Sequence, residues 1–522
     1  MQSLRRRDLL RGAGAAAAGL ALAGWPGRAR ANPAAWGDLP PGTWTTPPDL
    51  KVLQIHLLGG VAPFESFYYR DSVGRRTRGF DTEIANLVWN MGCGSTPTGL
   101  QLMPGNFGTD GLGKAIRLGP FAKPLWDRPD IRDRMRVIVQ AHNLLPHEAA
   151  IPYALSGLRL GNPNQANLGA AIAHRHLALD AEAGLSPRIL PYSYGLVSDT
   201  AGLNSLLTTM MGAVGRHPGA ARPLVLKIGP GFATFVSQLG RGNMTSAKDA
   251  LLQQYRGQYR DWLRQGGAGP VTRSNGFRDY DTSVGALLNA ASFSTFLGTI
   301  STAVSTEAEC AREPALTFES RPNPTKTALQ AAAFLLTRPP AERARYVCVI
   351  DSGIEPRFGL PYDVHNIEHP GDTGSNLWNT FKTLADLIND PLAVADPNKL
   401  NLSDTLILIT TEFGRTPYKS LGGVPNPTSL GRDHWPQAYT SVLIGGPITT
   451  RGVAGSIDDG LNELAVADLG FTPTDVHAAA LLAAGIDPFE SENYAVGQLT
   501  GSLQGIDHPA TLNNLKATLL GL

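Results

Sequence analysis

The sequence predicts an α/β fold in which a mostly parallel β-sheet is covered by helices on both faces. Three observations lead there. Short, apolar, β-branched runs recur along the chain, helical patterns lie between them, and the composition is that of a globular protein. Of 522 residues, 42% are hydrophobic and 17% charged, too apolar for disorder, while 58 Gly and 39 Pro punctuate the chain too often for a coiled coil. At about 100–200 residues per domain the length allows several domains or one large domain with insertions. No period of about 20–50 residues recurs, which excludes a solenoid or propeller.

The elements follow in order. Arg5-Arg6-Arg7-Asp8-Leu9-Leu10 opens the chain, an Ala/Gly/Leu run continues from Gly12 to Gly24, and Ala29-Arg30-Ala31 closes it. This is the plan of a twin-arginine signal peptide over residues 1–31, cleaved before Asn32. The run is shorter than the ~18–20 apolar residues that span a bilayer, and no later segment reaches that length. The expectation is therefore a protein handed to the twin-arginine export machinery and released to the periplasm or secreted, with no stable membrane span. Without the first 31 residues the formal charge of +1 becomes −4, because they hold six Arg and one Asp. A mildly acidic chain offers no electrostatic case for nucleic acid.

A Pro-rich lead-in occupies residues 32–49. Strands are then predicted at Lys51–Leu58, Met135–Ala141, Tyr346–Ile350, Thr405–Thr411 and Ser441–Ile444, and helices at Thr325–Thr337, Ser375–Ile388 and Pro473–Ala484. Residues 177–321 carry two strand-like runs, Arg188–Leu196 and Arg222–Ile228, with amphipathic patterns around Thr245–Arg264 and Ser283–Ser305. That region is expected to be a largely helical insertion or cap. Cys93, Cys310 and Cys348 form no C-x-x-C pair, and no essential disulfide is expected.

In parallel sheets the chemistry collects beyond the carboxyl ends of the strands. Those positions are rich in ligand types here. Glu65 and Ser66 follow the first strand, and His142 and His147-Glu148 the second. Asp351, Asp363 and His365 follow the third, and Glu412 and Arg415 the fourth. Asp433-His434 precede the fifth. Converging carboxylates and imidazoles suit one or two divalent ions, with Zn favoured by nitrogen and Mn, Mg or Ca by oxygen. Arg415 suits a bidentate grip on an oxyanion. Each residue also has a plain structural reading, as a hydrogen-bonded strand-end side chain or a buried ion pair.

Other motifs fail. His147-Glu148-Ala149-Ala150-Ile151 has Ile where a zincin needs its second His. His365-Asn366-Ile367-Glu368-His369 matches H-x-x-E-H, but Pro361 and Pro370-Gly371 leave no room for the required helix. There is no G-x-S-x-G elbow and no Walker loop. Tyr68, Tyr69, Trp89 and Trp435 could stack on a sugar or simply pack.

Thr411-Glu412-Phe413-Gly414-Arg415-Thr416-Pro417 resembles the signature of the exported bacterial family called domain of unknown function 1501. So do Gly431-Arg432-Asp433-His434-Trp435-Pro436, the Gly59-Gly60 turn, Asp363-Val364-His365, Gly455–Asp459 and Pro473–Ala478. The resemblance implies that residues 50–522 form an alkaline phosphatase-like three-layer sandwich, similar to the alkaline phosphatase and sulfatase superfamily. That superfamily hydrolyses phosphate and sulfate esters with metal at its strand ends. By the same resemblance Glu412, Asp363, His365 and His434 fall on metal-ligand positions, with Glu65 the acid nearest the first strand. Ala154-Leu155-Ser156-Gly157 is similar to the sulfatase stretch that follows the nucleophile, and ten residues before Gly157 stands His147.

The departures are equally plain. Phe413 stands where the superfamily has His, Gly59-Gly60 where it has Asp, and the Cys/Ser-x-Pro-x-Arg nucleophile signature is absent. His147 is left open as ligand, general acid or covalent acceptor. The expectation is a metal-dependent phosphatase- or sulfatase-like hydrolase of a small-molecule or polysaccharide ester. In it Glu65, Asp363, His365, Glu412 and His434 are ligands, and His147 and Arg415 are catalytic. The alternative is a non-catalytic periplasmic binding or assembly protein that keeps the fold. An oxidoreductase is suggested only by the export route.

Overall fold

A computed structural model describes residues 36–40, 49–70, 88–89, 98–99, 102–159, 166–185, 190–198, 223–228, 295–300, 308–312, 318–351, 353–354, 360–365, 369–417, 420–421, 424–425, 431–458, 466–490 and 493–522, with short helical pieces between 247 and 258. The expected signal peptide, most of the lead-in and of the helices at 245–264 and 283–305, Cys93 and Asn366–Glu368 lie outside these residues, as do the side chains of Trp89 and Cys310.

Eight strands form one sheet: β1 (Lys51–Leu57), β2 (Met135–Gln140), β3 (Ser193–Ser198), β4 (Leu224–Ile228), β5 (Tyr346–Asp351), β6 (Thr405–Thr411), β7 (Tyr439–Gly445) and β8 (Gly452–Ala454). Their order is β8-β2-β7-β6-β1-β5-β3-β4. β7 is antiparallel to β6 and β2, and every other neighbouring pair is parallel. The sheet is thus mostly parallel, as expected, with one reversed strand. β3 and β4 come from the stretch expected to be a helical insertion; both complete the edge of the main sheet instead. β4, at the margin, mixes buried with half-buried and exposed positions, while Ser193 to Val197 of β3 are buried throughout; neither pattern tells from sequence which sheet the strand joins.

Because side chains alternate across a strand, the central strands build two cores. Leu53, Ile55, Val347, Val349, Ile407 and Ile409 point to one, which is covered by helices α3 (Pro324–Thr337) and α4 (His369–Leu387). Val52, Cys348, Ile350, Leu406 and Leu408 point to the other, under α1 (His147–Ser156), α2 (Leu168–Glu182), α5 (Pro473–Ala483) and α6 (His508–Leu515). Helix, sheet and helix make three layers.

Helix starts follow their chemistry. Asn323 accepts from Lys326 N–H before α3, and Thr472 and Asp475 form a reciprocal box around Pro473 at the start of α5. α4 begins six residues earlier than its apolar period, at His369, because Pro370 is compatible with a first turn. His365 lies before this helix, so His365 and His369 do not share a helical face. Tyr68, Tyr69 and Trp435 are buried in one cluster, so these aromatics are packing. Cys348 is buried core. Among the described residues no helix is long and apolar enough to cross a membrane.

Candidate functional site

The reversed strand is what closes the site. In a purely parallel sheet, residues before a strand sit at the edge opposite those that follow one. β7 runs backwards, so its amino end lies at the edge where β1, β2, β5 and β6 end. Residues just before it, Asp433 and His434, return to the residues just after β6. A two-residue ribbon fixes the return, with Arg415 opposite His434 and Gly414 opposite Trp435.

His147 arrives at the first position of α1, whose far end is locked. Gly157 takes φ +69°, and a Cβ there would stand 2.8 Å from the Tyr494 hydroxyl. Tyr494 donates to the Ser156 carbonyl at 2.6 Å, Thr474 to the Gly157 carbonyl at 2.7 Å, and His477 Nε2 to the Ala154 carbonyl at 2.9 Å. Burial pushes the His477 pKa down to about 4, so the ring is neutral.

One ligand atom each from His147, Asp363 and His434 lies within 4.8 Å of the others. The hydrogen bonds around them fix which ring nitrogen donates outward. His434 Nδ1 is 2.8 Å from the Leu145 carbonyl, an oxygen that only accepts, so Nδ1 carries the hydrogen. His365 Nδ1 is 2.9 Å from Asp433 Oδ1, and His147 Nδ1 is 3.0 Å from Glu412 Oε1. All three rings therefore donate from Nδ1 to an oxygen and turn Nε2 inward. Nε2 of His365 and Nε2 of His434 stand 2.9 Å apart. In the neutral rings that opposes two lone pairs, an arrangement relieved by a proton or a metal cation between them. A proton on His434 is disfavoured: burial, then the charges of Arg415, His147 and His365, push its pKa down to about 3.

The acids complete the set. Asp363 Oδ2 is 3.5 Å from His147 Nε2, and Oδ1 is 3.6 Å from His365 Nε2 and 2.9 Å from Arg415 Nη2. Burial opposes its ionisation, but His147, Arg415 and His365 hold it well below the usual carboxylate range. Burial likewise lowers the His147 pKa, and hydrogen bonding to Asp363 and Glu412 outweighs it, pushing the value up to about 9. Glu412 is wholly buried and kept ionised by His147 and His56. Phe413 covers one side, its ring 4.1 Å from that of His434 and 4.9 Å from that of His147.

The expected site residues thus separate by position. Asp363, His365 and His434 meet at one point together with His147. Glu412 stands one step behind, holding His147. Glu65 is elsewhere, in a buried ion pair with Arg432. Arg415 is fully buried, with its guanidinium directed at the carbonyls of Gly59, Gly60 and Arg432 and at Asp363. It positions Asp363 and the Gly59-Gly60 turn and presents no open fork to an oxyanion. Asp351, at the end of β5, accepts from Thr325, Tyr362, Thr380 and the Gly353 N–H and fastens the start of the loop that carries Asp363.

Four contributors escaped sequence reasoning: the Gly59 N–H, the Leu145 carbonyl, His56 and the role of Asp433. Two are backbone groups, invisible to residue type. Gly59 carried a signal as half of a Gly-Gly turn directly after a strand. Its N–H donates to Glu412 Oε1 at 2.7 Å, and at φ +125° a Cβ there would fall 2.4 Å from Asp363 N.

The two imidazoles and one carboxylate form a donor set that zinc takes in catalytic centres, and each ring has the second oxygen partner typical of metal-bound histidine. No curated protein matches the chain. A family described as protein of unknown function (DUF1501) matches residues 246–512, a segment that contains Asp363, His365, Glu412, Arg415, Asp433 and His434 but neither Glu65 nor His147. With more than half of its length matched, the chain belongs to the DUF1501 family.

Proposed function

We propose that this chain is an exported, divalent-metal-binding protein of alkaline phosphatase-like fold that hydrolyses a phosphate or sulfate ester. One observation carries the reading: three imidazoles donate from Nδ1 to oxygen acceptors and bring their Nε2 atoms together beside Asp363. His147, Asp363 and His434 would hold the ion, with His365 beside them. The nitrogen donors favour Zn, then Mn, over Mg or Ca. A bound ion would acidify a water and neutralise charge on a phosphoryl or sulfuryl group. The chain's own residues do the rest. Glu412, Asp433 and the Leu145 carbonyl orient the rings, Arg415 fixes Asp363, and Phe413 excludes water from one side. The amino-terminal pattern supports delivery to the periplasm or beyond, where small esters and ester-bearing polysaccharides are accessible.

The test is hydrolysis of p-nitrophenyl phosphate and p-nitrophenyl sulfate by zinc- or manganese-loaded protein. Turnover of one of them, lost with chelator and in His434→Ala, is expected. A second reading, a non-catalytic binding or assembly protein, is favoured by the Arg415 guanidinium being committed to protein oxygens, and by Phe413 standing where the resembled superfamily has a ligand histidine. Metal-loaded protein that turns over neither ester supports it.

A further inference from the structure

His56 sits in the central strand β1, fully buried, on the same face as Gln54. Most of that face is packed with apolar side chains, and burying an imidazole and an amide there is costly unless their polar atoms find partners. The partners fall in one line. The Tyr346 hydroxyl donates to Gln54 Oε1 at 2.7 Å. Gln54 Nε2 lies 3.5 Å from both the Leu155 carbonyl and Thr410 Oγ1. Thr410 Oγ1 lies 3.2 Å from His56 Nδ1, and His56 Nε2 lies 3.5 Å from Glu412 Oε2. Beyond Glu412 comes His147.

One direction of donation runs along the whole line. Tyr346 donates to Gln54, Gln54 to Thr410 and Thr410 to His56 Nδ1, which leaves the hydrogen on His56 Nε2 facing Glu412 Oε2 across 3.5 Å, short of hydrogen-bond geometry. Glu412 then accepts from the Gly59 N–H and His147 at Oε1, while His56 Nε2 faces Oε2 at 3.5 Å. We propose that His56 is a positioning residue: with its Nε2–H facing the outer oxygen of Glu412 it sets the plane of that carboxylate, and through it the direction in which His147 Nε2 faces the site. The consequence for metal binding rests on the metal reading above.

Zinc affinity, measured by competition with a chromophoric chelator on protein whose fold is checked by circular dichroism, tests this. His56→Leu is expected to weaken zinc binding about tenfold, the low end of what losing an outer partner costs. His56→Gln can still donate to Glu412 and is expected to stay within about threefold of wild type. In a Glu412→Gln background, His56→Leu is expected to add less than about twofold, because the coupling runs through Glu412. Unchanged affinity in His56→Leu, or its full loss repeated in the Glu412→Gln background, overturns the proposal. If His56→Leu does not fold, the near-isosteric Thr410→Val takes its place, with a loss of about threefold expected and no loss contradicting the idea. Wild-type protein that takes up no zinc refutes the metal reading alone. The positioning role is then decided by the His147 Nδ1–H proton resonance in ¹⁵N-histidine-labelled protein, which His56→Leu shifts if the proposal holds and leaves unmoved if it does not.

Discussion

Gly59 shows how much a single residue decides. Its N–H aims Glu412, its carbonyl receives Arg415, and its positive φ admits no side chain beside Asp363 N. Gly59→Ala is expected to destabilise the protein by ~3 kcal/mol or more, combining backbone strain with a clash against main chain that cannot move aside. Urea unfolding measures it, and a loss under ~1 kcal/mol would show that the turn relaxes freely. The residue types of the site were legible as acids and imidazoles after strands. Their division of labour was not. Glu412 and Asp363 look alike in sequence, yet Asp363 faces the centre and Glu412 stands behind His147, because Glu412 meets the Gly59 N–H and Asp363 the Arg415 guanidinium. Glu65 reads as a ligand until Arg432, 367 positions away, takes it.

At the scale of elements, α1 is only as well placed as its joint with α5. Two predictions belong here. Thr472→Ala removes the hydroxyl that accepts from Asp475 N–H and is expected to cost ~1 kcal/mol by urea unfolding; no loss would mean that Asp475, which Thr500 also contacts, holds the start alone. His477 sets a pH dependence. Its folded pKa, about 4, lies below the ordinary value of 6.5, so the unfolded chain binds the proton more readily between them. The stability from its neutral ring is complete above pH ~6.5 and is lost as pH falls toward 4, by roughly 3 kcal/mol in all. Urea unfolding at pH 7 and pH 4.5 should show wild type losing more stability than His477→Gln, and equal losses would remove this joint from the acid response. The bodies of α3 and α5 were legible from their apolar pattern, to within one residue of the helices that Asn323 and Thr472 cap. The early start of α4 was not, because a Pro in the first turn and a Pro that ends a helix look the same until the chain is folded.

At the scale of the whole molecule, topology assembles the centre. Residues as distant as His147 and His434 meet because β1, β2, β5 and β6 deliver their carboxyl ends to one edge and β7, alone reversed, brings its amino end there. The sheet and its layers could be read from the alternation of strand and helix patterns. The reversal could not, since an apolar run carries no arrow, and without it Asp433 and His434 would lie at the wrong edge. The central claim is that this convergence exists to hold a cation. Elemental analysis of the purified chain beside its His434→Ala variant tests it most directly. The account predicts about one equivalent of zinc or manganese in the wild type and a loss of most of it in the variant. A metal-free wild type after exposure to both ions, or a variant that retains the full equivalent, would contradict it.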